Sequence, residues 1–320
     1  MPLILVLLSA FCVGMAISGS STCAVTASRE IVLHRRGTML LGFLLAMGVA
    51  GAITLPLHWL FGPVAQLSAE VPISGALLLG AILIGLGAVI NDACLLGTLA
   101  RIGQGEVRFL ALPLGLALGF AIADRQALLA AGQAQGNAHA MLMWPGVLIV
   151  LGFAAMATWA WRQRGRSPDM TGWRRPGPRA MMLAMGLCGA LLFTLEPNWS
   201  YSDAVHAVVR RGAMDMQGDS RAFAPAVALL CGSLVSGILS RSFVLQAPQP
   251  AGIARSLAGG AIMAFGGALI PGGNDTLLLA AIPSGTLSGV FAYLVMSATV
   301  LGVLHLIAHR GRRSKLELAV

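Results

Sequence analysis

Nine stretches of about twenty mostly apolar residues run through this chain, at about 2–19, 38–61, 73–91, 107–123, 141–161, 180–195, 222–240, 256–271 and 286–308. Segments of that length cross the hydrocarbon of a bilayer as helices, because a helix satisfies its own backbone where no water can. The expected fold class is therefore all-α: a polytopic membrane protein of about nine transmembrane helices. Charged residues make up only 10% of the chain, against roughly 25% in soluble domains. The segments 62–72, 124–140, 162–179, 195–221, 241–255 and 309–320 read as loops or interfacial pieces. Two apolar pieces, 93–103 and 274–283, are bounded by Gly or Pro and are too short to span; they read as re-entrant.

A formal charge of +9 raises the question of nucleic acid, but the basic residues sit at the ends of apolar runs, so no nucleic-acid partner is expected. Of the 21 Lys and Arg, 17 fall in the loops after spans 1, 3, 5, 7 and 9 (Arg108 counted with the second) and four on the other side. The positive-inside rule then puts the C-terminus in the cytoplasm and the N-terminus outside, in an inner (plasma) membrane. The first Lys or Arg is Arg29, so the apolar N-terminus reads as a retained span rather than a cleaved signal.

Shifted by 180 residues, GAILIGLGAVINDACLLGTLARIGQG (80–105) falls without gaps on GAIMAFGGALIPGGNDTLLLAAIPSG (260–285), with ten of 26 positions identical. Shifted by 175, STCAVTASREIVLHRRG (21–37) falls on EPNWSYSDAVHAVVRRG (196–212), resting mainly on the shared Arg-Arg-Gly. These alignments predict a first repeat over 1–140 (spans 1–4), a linking span and basic cytoplasmic loop over 141–179, and a second repeat over 180–320 (spans 6–9). One span between the halves inverts the second, a recurrent design of secondary transporters whose sites lie near the midplane on broken helices.

Ala88 to Val107 is such a break: Asn91, Asp92, Cys94, Gly97 and Arg101 follow a nearly uncharged run. In the alignments Cys94 falls on Asn274 and Cys23 on Asn198. This suggests a path with thiols on its inner half and amides on its outer half. Cys12, Cys188 and Cys231 read as small buried hydrophobes. Asp92 and Asp275 are either embedded functional acids or interfacial residues satisfying free backbone N–H groups. Arg101 either attracts an anion or obeys the positive-inside rule. Asn91 and Asn274 either donate to an oxyanion or serve turn geometry. His34, His206, His305 and His309 read as interfacial.

The five cysteines form no CxxC pair, and no HExxH or GxxxxGK[ST] occurs, so no metal, cofactor or built-in ATPase is expected. The leading reading is a transporter of a small sulfur-containing anion, not an enzyme. The alternatives are a membrane thiol enzyme handling disulfides or sulfane sulfur, and a scaffold or cation channel; the latter should show rings of carboxylates, and Asp plus Glu total only 12.

GLGAVINDACLLGTLARIGQGEV resembles the signature of the YeeE/YedE sulfur-transport membrane proteins, with Ala93 where Gly commonly precedes the cysteine. SGSSTCAVTASREI resembles that family's first cysteine motif, and FGGALIPGGNDTLLLAAIPSGTLSG its C-terminal one. The resemblance implies a nine-span, hourglass-shaped, pseudo-twofold transporter that takes up thiosulfate, with cysteines exchanging S–H···S hydrogen bonds with the substrate. Cys94 and Cys23 match two of these by position. The third falls at Asn274, where GGN replaces Gly-Gly-Cys, which leaves the substrate open to other sulfur or selenium species. The partners expected are the anion, the lipid bilayer and a cytoplasmic sulfur-carrier protein.

Overall fold

A computed structural model describes residues 2–20, 23–125, 143–164, 177–196, 199–211, 220–270 and 272–317. Among these the architecture is all-helical, without strands: α1 (Pro2–Ser20), α2 (Ala24–His34), α3 (Thr38–Phe61), α4 (Gly75–Asn91), α5 (Leu95–Gly103), α6 (Leu112–Arg125), α7 (Met143–Arg164), α8 (Pro178–Leu195), α9 (Tyr201–Arg211), α10 (Ser220–Leu239), α11 (Pro250–Gly267), α12 (Asn274–Thr276) and α13 (Leu287–Glu317). A wide π-type turn, Leu277–Ala281, continues α12.

Seven ranges among the described residues are long and apolar enough to cross a membrane: Leu3–His34, Thr38–Phe61, Gly75–Gly103, Val107–Arg125, Pro145–Gln163, Pro178–Leu195 and Leu287–Arg310. The runs expected at 222–240 and 256–271 are helices as well, α10 and α11, but stand outside that set. In α10 the apolar stretch is the shorter Phe223–Leu239, and α11 carries Arg255 and several glycines. Large apolar side chains remain exposed, among them Leu60, Leu148, Ile238 and Leu294, as befits a molecule whose solvent is hydrocarbon.

The helices pack through glycine. Along α4 and α11, Gly80 and Gly266 face each other so closely that a Cβ on either would stand 2.7 Å from the other's carbonyl oxygen, and Gly87 and Gly259 repeat the arrangement. Lipid gives helices no hydrophobic drive to associate, so such small-residue seams, where backbones touch, supply the packing. The neighbours are α1 with α8 and α10, α3 with α7 and α8, α4 with α11 and α13, α6 with α11 and α9, and α2 with α13. At the centre α5 touches α12, α1 and α10, while the π turn lies against α3, α8 and α13.

Both expected breaks are present. Helix α4 stops where Asp92 enters the left-handed region at φ 70°, a conformation Asp tolerates better than most residues. Helix α11 is followed by Gly272 at φ 82°, after which α12 begins. Two helices were not foreseen. Residues 24–34 and 201–211 carry charges and are too short to span, yet α2 and α9 form and pack on α13 and α6. Helix α13 runs past the expected limit at 308, since its polar last turns need not lie in lipid.

Candidate functional site

Two helix N-termini meet at two thiols. Cys23 immediately precedes α2 and Cys94 immediately precedes α5. Cys94 Sγ accepts the backbone N–H of Gly97 and that of Ala24, both at 3.4 Å, and its S–H donates to Cys23 Sγ at 3.8 Å. One thiol therefore caps its own helix and touches the first turn of the other. Both cysteines are buried and unbridged. The free N–H groups and dipole of a helix start favour negative charge, and here two starts point at one place.

The residues around the break hold this arrangement. Asn91, fully buried, donates to Ala93 O at 2.8 Å and to Thr98 Oγ1 at 2.9 Å, tying the end of α4 to α5 across the break. Ser233 of α10 donates to Leu99 O at 2.7 Å. Asp92 accepts from Arg29 of α2, and from Arg108 at 3.3 Å. Arg108 also reaches Glu106 at 3.4 Å, and Glu106 holds Arg101 at 2.6 Å. The carboxylate of Asp92 thus serves arginines rather than free backbone N–H groups, and Arg101 is neutralised by a nearby acid rather than standing as an open anion lure. Together these five residues clamp α2, α5 and the turn into α6.

Gly97 has a steric reason to be glycine: a Cβ there would stand 2.7 Å from the Cβ of Cys23 and closer still to its Sγ. Gly97→Ala should therefore push the thiols apart. The expected stability cost is about 1–3 kcal/mol, the usual range for overpacking, with a loss of uptake beyond what the folded fraction explains. Melting temperature and proteoliposome uptake, measured on the same preparation, check this.

The second half brings together different chemistry. Asn274, at the start of α12, is buried, and among the described residues neither side-chain polar atom has a partner; the same holds for Oδ1 of Asp275 and Oγ1 of Thr276. A Cβ built on Gly273 would lie 2.7 Å from Asp275 Oδ1, 3.3 Å from Ser202 Oγ and 2.5 Å from Leu95 Cδ1. So the start of α12 meets the first turn of α9 and the first residue of α5. Beside them opens a cavity of about 310 Å³, lined by Leu95, Phe120, Ser202, Asp203, His206 and Gly273 among others. Asp203 accepts from Ser200 Oγ at 2.6 Å while that oxygen accepts the N–H of Asp203. His206 Nε2 lies 3.0 Å from Asp124 of α6, and its ring stacks on Phe120.

Of the residues singled out in the sequence, Cys23, Cys94 and Asn91 lie together, Asp92 and Arg101 lie in the adjoining charge cluster, and Asn274 opens α12, which touches α5. Asn198 falls outside the described residues. Ser202, Asp203, Asp275, His206 and Asp124 were not anticipated as one group. Ser200-Tyr201-Ser202-Asp203 is a capping-box pattern that could have marked the start of α9. Nothing local joins Asp124 to His206, 82 positions away. No group of three or more His, Cys, Asp or Glu able to hold a metal occurs among the described residues.

A family profile described as "Sulphur transport" matches residues 19–302. A comparison with curated proteins found no match.

Proposed function

The chain belongs to the sulphur-transport family, that of the YeeE/YedE membrane proteins, and from that premise we propose that this membrane protein carries a small, thiosulfate-like anion across the inner membrane, along a path through the break of α4 and α5. The observation that carries the reading is the convergence of the α2 and α5 N-termini on Cys23 and Cys94, 3.8 Å apart. Thiols are weak, polarizable donors; beside helix starts they stabilise an anion without the trapping a bare arginine would cause, and conduction needs binding loose enough to release.

The path divides into an outer cavity beside α9, a constriction at Leu95 and Gly273, and an inner thiol pair. Nine spans support it when α10 and α11 cross along with the seven, at about 30 Å and 27 Å of helix for 20 and 18 residues. The neighbour pattern supports paired halves. Exchange α1 with α8, α2 with α9, α3 with α10, α4 with α11, α5 with α12 and α6 with α13. Then α1–α10 becomes α8–α3, α6–α11 becomes α13–α4, and α2–α13 becomes α9–α6, all of them observed contacts. Helix α7, lying on α3, is the odd span that inverts the second half. With the 17-to-four split of basic residues, the thiols then open toward the cytoplasm, where a sulfur-carrier protein would receive the product.

Uptake of radiolabelled thiosulfate, sulfite, sulfate and selenite into proteoliposomes tests the assignment. Preference for an anion with a terminal sulfur supports it; equal rates for all four, matching protein-free vesicles, reject it. Asn274→Cys should raise thiosulfate uptake severalfold by restoring a thiol where the resembling family has one; unchanged uptake by a normally folded variant removes Asn274 from the path.

The 3.8 Å approach of two thiols also favours a second reading: one thiolate takes the sulfane sulfur of thiosulfate as a persulfide and releases sulfite, and the second thiol displaces hydrosulfide to close a disulfide. Intact-protein mass separates the two: transport leaves both cysteines unmodified after turnover, whereas exchange leaves a bound sulfur or a disulfide.

A further inference from the structure

An anion path should not carry acids at its wall, yet Asp203 lines the outer cavity and the buried Asp275 lies two positions beyond Gly273 of the same lining. Asp275 is 3% exposed with Oδ1 unpartnered, and a Cβ on Gly273 would stand 2.7 Å from that oxygen and 3.3 Å from Oγ of Ser202, the residue before Asp203. The titratable groups at this end of the cavity are Asp203 and His206 of α9 and Asp124 of α6. The walls from α4 and α11 contribute apolar and glycine atoms such as Ile84, Met263 and Gly267, α5 contributes Leu95, and the described lining holds no Lys or Arg. Neighbouring carboxylates in a low-dielectric site repel each other and any entering anion, and one proton bound there removes the first repulsion and weakens the second.

We infer that Asp275, with Asp203, is a proton-coupling site, so that the sulfur anion is taken up together with protons. A proton leaves outer water and binds a carboxylate oxygen of Asp275; the His206–Asp124 pair and Asp203 line the route to it. The neutral acid then lets the anion reach Asn274 and pass Leu95. The proton leaves Asp275 for inner water after the anion has moved on, and the restored carboxylate blocks its return. No bond to sulfur forms or breaks, and the net step is the transfer of anion and proton in the same direction. The inference rests on the transport reading above and deepens it by naming the coupling ion and the residue that carries it.

The test uses the full-length protein in proteoliposomes, with radiolabelled thiosulfate as probe, the membrane potential clamped, and inward gradients of protons or of Na⁺ imposed separately. A one-unit pH gradient is a tenfold proton ratio and should raise accumulation by up to about tenfold per proton carried, with matching acidification of a trapped pH dye. Asp275→Asn should keep thiosulfate–thiosulfate exchange, which needs no net proton movement, and lose the response to the gradient; Asp203→Asn is the second variant, should the first not fold. Uptake indifferent to pH, driven instead by Na⁺, or driven equally by pH in both variants overturns the proton site and leaves the transport reading standing. No uptake of thiosulfate, sulfite, sulfate or selenite under any gradient overturns both.

Discussion

Gly232→Leu should remove most of the folded protein from the membrane. Gly232 of α10 lies against Phe11 O and Met15 N of α1, with the latter 3.1 Å from where a Cβ would stand, and Gly14 of α1 lies reciprocally against Leu229 and Ser233 of α10. The obstructing atoms are backbone, which cannot rotate away, so the helices must separate. Overpacking in a core costs about 1–3 kcal/mol when side chains can adjust; here the cost belongs at or above the upper end, a large share of total stability. The separation also reaches the site, because α10 holds α5 through Ser233 and Leu99. Gly302→Leu, where a Cβ meets nothing within 4 Å, is the control. Membrane abundance and melting temperature should fall sharply for the first and stay near wild type for the second. Equal abundance of the two would mean that the α1–α10 seam does not hold the fold.

The second large effect is on transport alone. Cys94→Ser should leave stability near wild type, because serine is a strong helix N-cap and can accept the same N–H groups of Gly97 and Ala24. Cys94→Ala loses that acceptor and should cost about 1 kcal/mol. Uptake should fall at least about tenfold in both, the rate equivalent of one lost interaction of about 1.4 kcal/mol at the constriction. Cys188→Ala, half-buried in α8 away from the break, should transport as wild type. The serine variant carries the argument: a capping role alone survives the substitution, whereas a role that needs the polarizable thiol does not.

The helices were readable because lipid imposes a long apolar run on each span, and the α4–α5 break was readable because Asn91, Asp92 and the glycines interrupt such a run. Helices α2 and α9 were not, since Arg29 and Glu30 in one and Asp203, Arg210 and Arg211 in the other dilute the apolar signal over a length that cannot span. Cys23 and Cys94 were each singled out, but their approach to 3.8 Å across 71 positions comes from α1 and α5 packing together, which no local pattern encodes. Asp92 and Arg101 were singled out for their charge, yet their partners, Arg29, Arg108 and Glu106, decide what that charge does. Asp275 was singled out too, but its grouping with Asp203 and Asp124 was hidden for the same reason, since the three lie on elements far apart in the chain.

If the anion passes the Cys23–Cys94 pair, bound substrate should shield those thiols from alkylation. Wild-type protein in proteoliposomes is treated with N-ethylmaleimide with and without thiosulfate, and the alkylation rate of each cysteine is followed by peptide mass spectrometry. Cys12 and Cys231, expected from the sequence to be buried, are instead exposed on the outer faces of α1 and α10 and serve as internal references away from the break. Thiosulfate should slow labelling of Cys94 and Cys23 severalfold and leave that of Cys12 and Cys231 unchanged. Equal labelling of Cys94 and Cys23 with and without thiosulfate, in vesicles that take thiosulfate up, would place the path elsewhere in the molecule.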